Sequence, residues 1–202
     1  MNEELIEVKE SDKIKICMQY PKLNMKYAID KCYLRKEVKE KLEVATNYLP
    51  DGYSFLILDA YRPFKLQEEL YYKYYDQIVK EFNLNNLSKE EKERIINKYV
   101  SIPIKDRKLA PAHTTGGAID ITLLKNGKEV NMGAEFDEFT NRATTNYYKG
   151  KNETIDNNRK ILYNVMIKAG FTNLDSEFWH YDYGDKNWAE KNNEAIKYYG
   201  IF

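Results

Sequence analysis

The sequence predicts a single α+β domain, because stretches with helical apolar spacing are interleaved with short apolar segments of strand length in one chain of 202 residues. That length is enough for one sizeable core. Hydrophobic residues make up 43% and charged residues 32%, the balance of a chain that folds by itself rather than a disordered or fibrous one. Neither an internal repeat nor a low-complexity linker divides it.

Taken in order, Val38, Leu42, Ala45 and Leu49 recur at helical spacing and predict an amphipathic helix over 35–49, which Pro50-Asp51-Gly52 stops. The mostly apolar run 53–59 suits a buried strand, ended by Ala60-Tyr61-Arg62-Pro63 because proline cannot continue a ladder. Asp59 and Arg62 are thereby expected at a strand end. After Pro63, Leu66, Leu70, Tyr74 and Ile78 mark the buried face of a second helix, and Ser88-Lys89-Glu90-Glu91 reads as a capping box opening a third helix through Tyr99. This region looks like a helical insertion. Alternation over 118–123 places Asp120 and Thr122 opposite Ile119 and Ile121 on a further strand. Ile161, Leu162, Val165, Met166 and Ala169 predict another helix closed by Gly170, and a last helix is expected over 188–199.

Composition removes several classes of function. The 32 Lys+Arg and 32 Asp+Glu cancel, and the lysines are dispersed among acids, so the basic stripe that nucleic acid requires is missing. No apolar run approaches the roughly 20 residues of a membrane span. The opening MNEELIEVKE is acidic where a secretory signal would be basic and then apolar. Cys17 and Cys32 are too few for a disulfide framework and are expected to be reduced, which together with the opening residues predicts a cytoplasmic location.

The chain has 2 histidines, and each sits among other chemistry-bearing residues. His113 leads into Thr114-Thr115-Gly116-Gly117-Ala118-Ile119-Asp120, where the glycine pair lets the chain turn so that histidine and aspartate converge. His180 lies three residues after Glu177 in Glu177-Phe178-Trp179-His180-Tyr181-Asp182. Two imidazoles and a carboxylate form a three-ligand set that leaves a position open for water, the pattern of catalytic zinc, and Glu177 is then placed to act on that water. The implied chemistry is amide hydrolysis.

These segments resemble the D-alanyl-D-alanine dipeptidases among the D-Ala-D-Ala metallopeptidases. Leu58 to Pro63, His113 to Leu123, Met132-Gly133-Ala134-Glu135-Phe136-Asp137 and Glu177 to Asp185 match that family in order. The resemblance implies a central, mainly antiparallel sheet flanked by helices with one zinc on the sheet, held by His113, Asp120 and His180. It implies Glu177 as catalytic base and Arg62 as the group that steadies the carbonyl oxygen as it becomes an oxyanion. It also implies a small dipeptide as the partner, with Asp137 anchoring its ammonium and Tyr61 and Trp179 beside it. Two positions depart from the family: Pro111 stands where serine is common and Thr115 where arginine is common, which bears on fine specificity rather than on the metal.

Other functions share parts of this pattern. A D,D-carboxypeptidase or endolysin of the same superfamily acts on larger wall fragments. Non-haem iron oxygenases also use two histidines and a carboxylate, but usually on all-β scaffolds with closer spacing. A non-catalytic binding module would have no need of Glu177 or Arg62.

Overall fold

Strict alternation along two neighbouring strands sets the centre of the molecule. The computed structural model describes residues 4–202 as β1 (Leu5–Glu7), β2 (Ile14–Ile16), α1 (Gln19–Lys22), β3 (Tyr33–Arg35), α2 (Lys36–Thr46), β4 (Tyr53–Asp59), α3 (Phe64–Glu81), α4 (Lys89–Ile96), β5 (Ala118–Lys125), β6 (Lys128–Glu129), α5 (Glu153–Lys168), β7 (Thr172–Asn173), β8 (His180–Asp182) and α6 (Lys186–Asn192). Short 3₁₀ turns lie at Leu84–Asn86, Ala112–Thr115 and Asn141–Ala143.

The main sheet has the order β2-β4-β5-β8-β7, with β6 added to β5. Only β2 and β4 pair in parallel, so the sheet is mainly antiparallel, as the family resemblance implies. Phe55 and Ile57 of β4 and Ile119, Ile121 and Leu123 of β5 are fully buried on one face, against Val38, Leu42 and Ala45 of α2 and Leu162, Val165 and Met166 of α5. A second cluster lies under α3 and α4, where Leu66, Leu70, Tyr74 and Ile78 meet Ile96, Val100 and Phe139. The helical insertion therefore has its own small core, in which Tyr71 and Tyr74 of α3 are packed.

One irregularity in the ladder positions the chemistry. Ile57 pairs with Ile121, but Asp59 pairs with Asp120, so two residues of β4 oppose one of β5. This bulge turns Asp59 from the apolar face to the face that bears Asp120. Asp120 in turn pairs with His180 on β8. Asp59, Asp120 and His180 thus form a row across three adjacent strands.

The expected helices are found with shifted ends. The run predicted over 35–49 begins at Lys36, because Arg35 completes β3, and gives way at Asn47. The capping box is formed: Glu91 N–H donates to Ser88 Oγ (3.3 Å) and Ser88 N–H donates to Glu91 Oε2 (2.9 Å). That helix stops at Ile96 rather than Tyr99, since Asn97 turns its Oδ1 to accept from Ile102 N–H (2.9 Å). The last helix is the larger correction. Asp185 caps it by accepting from Trp188 N–H (3.0 Å), and Asn193 ends it in the left-handed region (φ 53°), so residues 194–199 are not helical. They run instead as a strap, with Lys197 and Tyr198 N–H donating to Gly184 O and Ile201 N–H to Thr114 O.

Arg159 on α5 fastens the long segment between β6 and α5. Its guanidinium is buried, donates to the carbonyls of Met132 (2.7 Å), Thr144 (2.6 Å) and Arg142 (2.7 Å), and lies between the rings of Tyr148 and Phe178. Burial pushes its pKa down to about 10, against the opposing pull of Tyr148, Glu138 and Tyr181, so it remains a cation at neutral pH. Arg159→Met leaves the Met132 and Arg142 carbonyls without donors, Thr144 O keeping the Tyr147 N–H (3.0 Å), and is expected to cost roughly 3 kcal/mol. The check is the midpoint of urea unfolding at unchanged slope; a shift worth under about 0.5 kcal/mol would show that the segment holds without it.

Candidate active site

Three lone pairs converge where the sheet meets the turn before β5. His113 lies in the turn Ala112–Thr115, which closes at Gly116 in the left-handed region (φ 75°). A β-carbon on Gly117 would come within 2.7 Å of the Tyr183 carbonyl, so β5 and β8 approach closely only because glycine stands there. His113 Nδ1 faces the Ala60 carbonyl (2.7 Å), which fixes the proton on that nitrogen and leaves Nε2 as the acceptor. Nε2 lies 3.2 Å from Asp120 Oδ2. His180 is set the other way: Nε2 faces Asp182 Oδ1 (2.8 Å), and Nδ1 points inward, 3.0 Å from Asp120 Oδ1 and 3.2 Å from His113 Nε2.

The ligand atoms of His113, Asp120 and His180 all lie within 4.8 Å of one another, and all three residues are buried. Each imidazole has its outer nitrogen engaged and its inner nitrogen free, which is how metal-binding histidines are oriented. The donor set of two nitrogens and a carboxylate suits a divalent transition metal with an open position. Burial alone would raise the Asp120 pKa, but His113 and His180 hold it well below the usual range; burial would lower that of His180, but Asp182 and Asp120 raise it well above.

Glu177 and Arg62 flank this centre. Glu177 Oε2 lies 3.9 Å from His180 Nδ1. Burial first, then Asp120 and Asp137, push its carboxyl up to about 8, against the lowering effect of His180 and Arg62. Arg62 is buried and held on every side: Nε and Nη2 donate to Asp59 Oδ2 (3.0 and 2.6 Å), Nη2 to Tyr20 Oη (3.0 Å) and Nη1 to Gln67 Oε1 (2.7 Å). Its Nη2 stands 3.9 Å from Asp120 Oδ2. Tyr20 and the surrounding acids raise its pKa further, against burial, so it is a fixed cation.

Asp137 joins the same cavity from the segment that Arg159 fastens, with its own backbone in the left-handed region (φ 56°). Its Oδ2 accepts from Tyr20 Oη (3.0 Å) and Tyr74 Oη (3.3 Å). Burial, with Asp120 and Asp59 adding to it, pushes its carboxyl up to about 6 despite Arg62 and Tyr20.

His113, Asp120, His180, Glu177, Arg62 and Asp137 therefore share one cavity of about 70 Å³. A second cavity of about 140 Å³ adjoins it through Tyr99, Asp137 and Glu177. Trp179 lines this second space, packed edge-on against Phe136 and Phe178, and does not reach the first. Tyr61 lines neither, and its backbone N–H donates to the Tyr33 carbonyl (2.9 Å). Pro111 lies in the cavity wall, whereas Thr115 turns away from it, its Oγ1 donating to the Ala112 carbonyl (2.6 Å) and accepting from Gly117 N–H (2.9 Å).

Sequence reasoning did not assign Tyr20, Gln67, Tyr74 or Asp182. Asp182 had a signal, since two residues past His180 on a strand is the same face. The other three are brought in by α1 and α3, and nothing local to them marks their use.

Residues 21–198 match the family described as D-Ala-D-Ala dipeptidase, peptidase M15. A D-alanyl-D-alanine dipeptidase of Synechocystis sp. is 34% identical over 192 residues, 83% of this chain and 78% of that protein. That of Escherichia coli is 28% identical over 158 residues, covering 77% and 69%. Among solved structures, VanYB in complex with D-alanine-D-alanine aligns over 85% of this chain and 84% of its own at 15% identity, with a TM-score of 0.46. The match over nearly the whole chain, on a sheet that gathers two histidines, an aspartate and a glutamate into one cavity, shows that this protein belongs to the D-Ala-D-Ala dipeptidase family of M15 peptidases.

Proposed function

We propose that the protein hydrolyses D-Ala-D-Ala, or a closely similar D,D-dipeptide, to free amino acids with one zinc ion per chain. The observation that carries this is the meeting of His113, Asp120, His180, Glu177, Arg62 and Asp137 in one cavity of about 70 Å³, far smaller than the roughly 300–1,000 Å³ of pockets that take drug-sized ligands. A site of that size counts residues by engaging both ends of its substrate.

His113 Nε2, Asp120 and His180 Nδ1 would hold the zinc. When bound, zinc lowers the pKa of a water to about 7 and polarises a carbonyl oxygen. Glu177 takes the proton from the attacking water and returns it to the departing amine. A cation beside it favours the ionised carboxylate and so opposes the burial that pushes its pKa up to about 8. Arg62, held rigid by Asp59, Gln67 and Tyr20, offers a donor to the oxygen on which negative charge develops. Asp137 pairs with the substrate ammonium, its oxygen already oriented by Tyr20 and Tyr74. Cys17 and Cys32 are both free thiols, in keeping with action in a reducing compartment such as the cytoplasm. No helix of the described residues is long and apolar enough to cross a membrane.

Three measurements test this. After dialysis the parent should hold one zinc and His113→Ala close to none, while Glu177→Ala should keep its zinc and lose about 10²–10⁴ in kcat. Retained turnover in Glu177→Ala would remove it as the base. The second is pH dependence. Asp137 and Glu177 must both be ionised, so activity is lost as pH falls through their pKa values, which a bound dication moves below about 6 and 8. Log kcat/KM should fall with a slope approaching two, and in Asp137→Asn with a slope of one. An unchanged slope assigns the ammonium to another group. The third is substrate length. Acetylating the amino end of D-Ala-D-Ala leaves Asp137 without its partner and should abolish cleavage. Comparable kcat/KM on the acetylated and free dipeptides, or efficient release of D-Ala from a pentapeptide, would mark a carboxypeptidase instead.

A further inference from the structure

Gln67 lies in the first turn of α3, is fully buried, and touches two parts of the cavity that are far apart in sequence. Its Oε1 accepts from Arg62 Nη1 (2.7 Å) and its Nε2 donates to the Ser101 carbonyl (2.7 Å). The amide has no freedom to exchange these roles, because turning it over would set N–H against the guanidinium and oxygen against a carbonyl.

Each contact has a consequence for the reaction. Arg62 has Nε committed to Asp59 and Nη2 shared between Asp59 and Tyr20, and Gln67 takes one hydrogen of Nη1. The second hydrogen of Nη1 is the one that these contacts leave for a substrate oxygen. Gln67 therefore fixes the nitrogen with the spare donor. On its other side, Ser101 ends the stretch Tyr99-Val100-Ser101, which leaves the helical insertion and forms one wall of the cavity. Tyr99 there stacks on Phe82 and meets Phe139, and Val100 belongs to the insertion's own core. The wall thus belongs to the insertion and the guanidinium to the end of β4, and Gln67 is the side chain that spans them.

We infer that Gln67 is a positioning residue that couples closure of the insertion wall over the dipeptide to the orientation of the Arg62 donor. With the wall seated, the Gln67 amide is held in the orientation that fixes Arg62 Nη1; with the wall displaced, Nη1 loses that guide while Nε and Nη2 stay on Asp59 and Tyr20. This rests on the oxyanion role of Arg62 proposed above.

Three variants separate the two contacts. Gln67→Met removes both, so kcat should fall by about ten-fold or more, as for a weakened oxyanion donor, and KM should rise as well. Gln67→Glu keeps an oxygen for Arg62 but, ionised beside that cation, has no proton for Ser101. It should raise KM about as much as Gln67→Met while losing clearly less kcat. Asn97→Ala frees the same stretch by removing the acceptor for Ile102 N–H, and should raise KM several-fold at unchanged kcat. Hydrogen exchange of the amides of 98–102 should speed up in all three, with zinc content unchanged.

Parent values of kcat and KM in Gln67→Met, or exchange at 98–102 that stays at the parent rate in Gln67→Glu, overturn the coupling. If Gln67→Met does not fold, the glutamate variant decides alone. A parent inactive on D,D-dipeptides overturns the proposed substrate instead, and the exchange measurement still decides whether Gln67 holds the wall.

Discussion

The carboxylates of Asp120, Asp137 and Glu177 line one small cavity with the Arg62 guanidinium, which Asp59 grips from behind, and this excess of buried negative charge governs the site. Isolated buried carboxylates are costly, and the molecule handles each differently. Asp59 is matched by Arg62, Asp120 by two imidazoles, and Asp137 by two tyrosine hydroxyls. Glu177 is matched least and has the most displaced pKa of the four among those pushed upward. The dication proposed for His113, Asp120 and His180 and the substrate ammonium proposed for Asp137 would offset this excess, so the same electrostatics that make the cavity costly would make the loaded one favourable.

The charges stay apart because a rigid frame holds them. Asp59, Asp120 and His180 are spaced by the strand ladder, His113 is fixed by the Ala60 carbonyl, and Arg62 N–H returns to the His113 carbonyl (3.0 Å). Asp137 is the exception, standing on a segment without strand or helix. There Arg159 substitutes for a ladder by collecting three carbonyls in one planar fork.

How far this was legible in the sequence follows from where each residue's partner lies. His113 with Asp120, and Glu177 with His180, lie close in the chain, and glycine or strand spacing announces their convergence. The alternation of β5 and the helical faces of α2, α3 and α5 were equally plain. Gln67 was silent, because its two partners become neighbours only when the insertion folds back on β4. Tyr20 was silent for the same reason, and the tyrosine-rich composition around α3 hid Tyr74 among packing residues. The final helix was placed too far along the chain because apolar spacing continues past Asn193, while a left-handed asparagine and the pull of Gly184 O on residues 197 and 198 end it.

The bulge between Ile57 and Asp59 divides the chain into parts whose length is fixed and parts whose length is free. From Tyr53 to His113 Nδ1 by way of Ala60, distances are counted in whole residues against β5, and a strand shorter by one would turn Asp59 toward Phe55 and Ile57 and carry Arg62 with it. The stretch from Phe82 to Leu109 pairs with no strand and is under no such count, being held by its own apolar cluster and by single hydrogen bonds at Ser101 and Arg107. A change in chain length is therefore accommodated more readily in the helical insertion that walls the cavity than in β4. The metal-binding frame can stay constant while the room left for a substrate is resized.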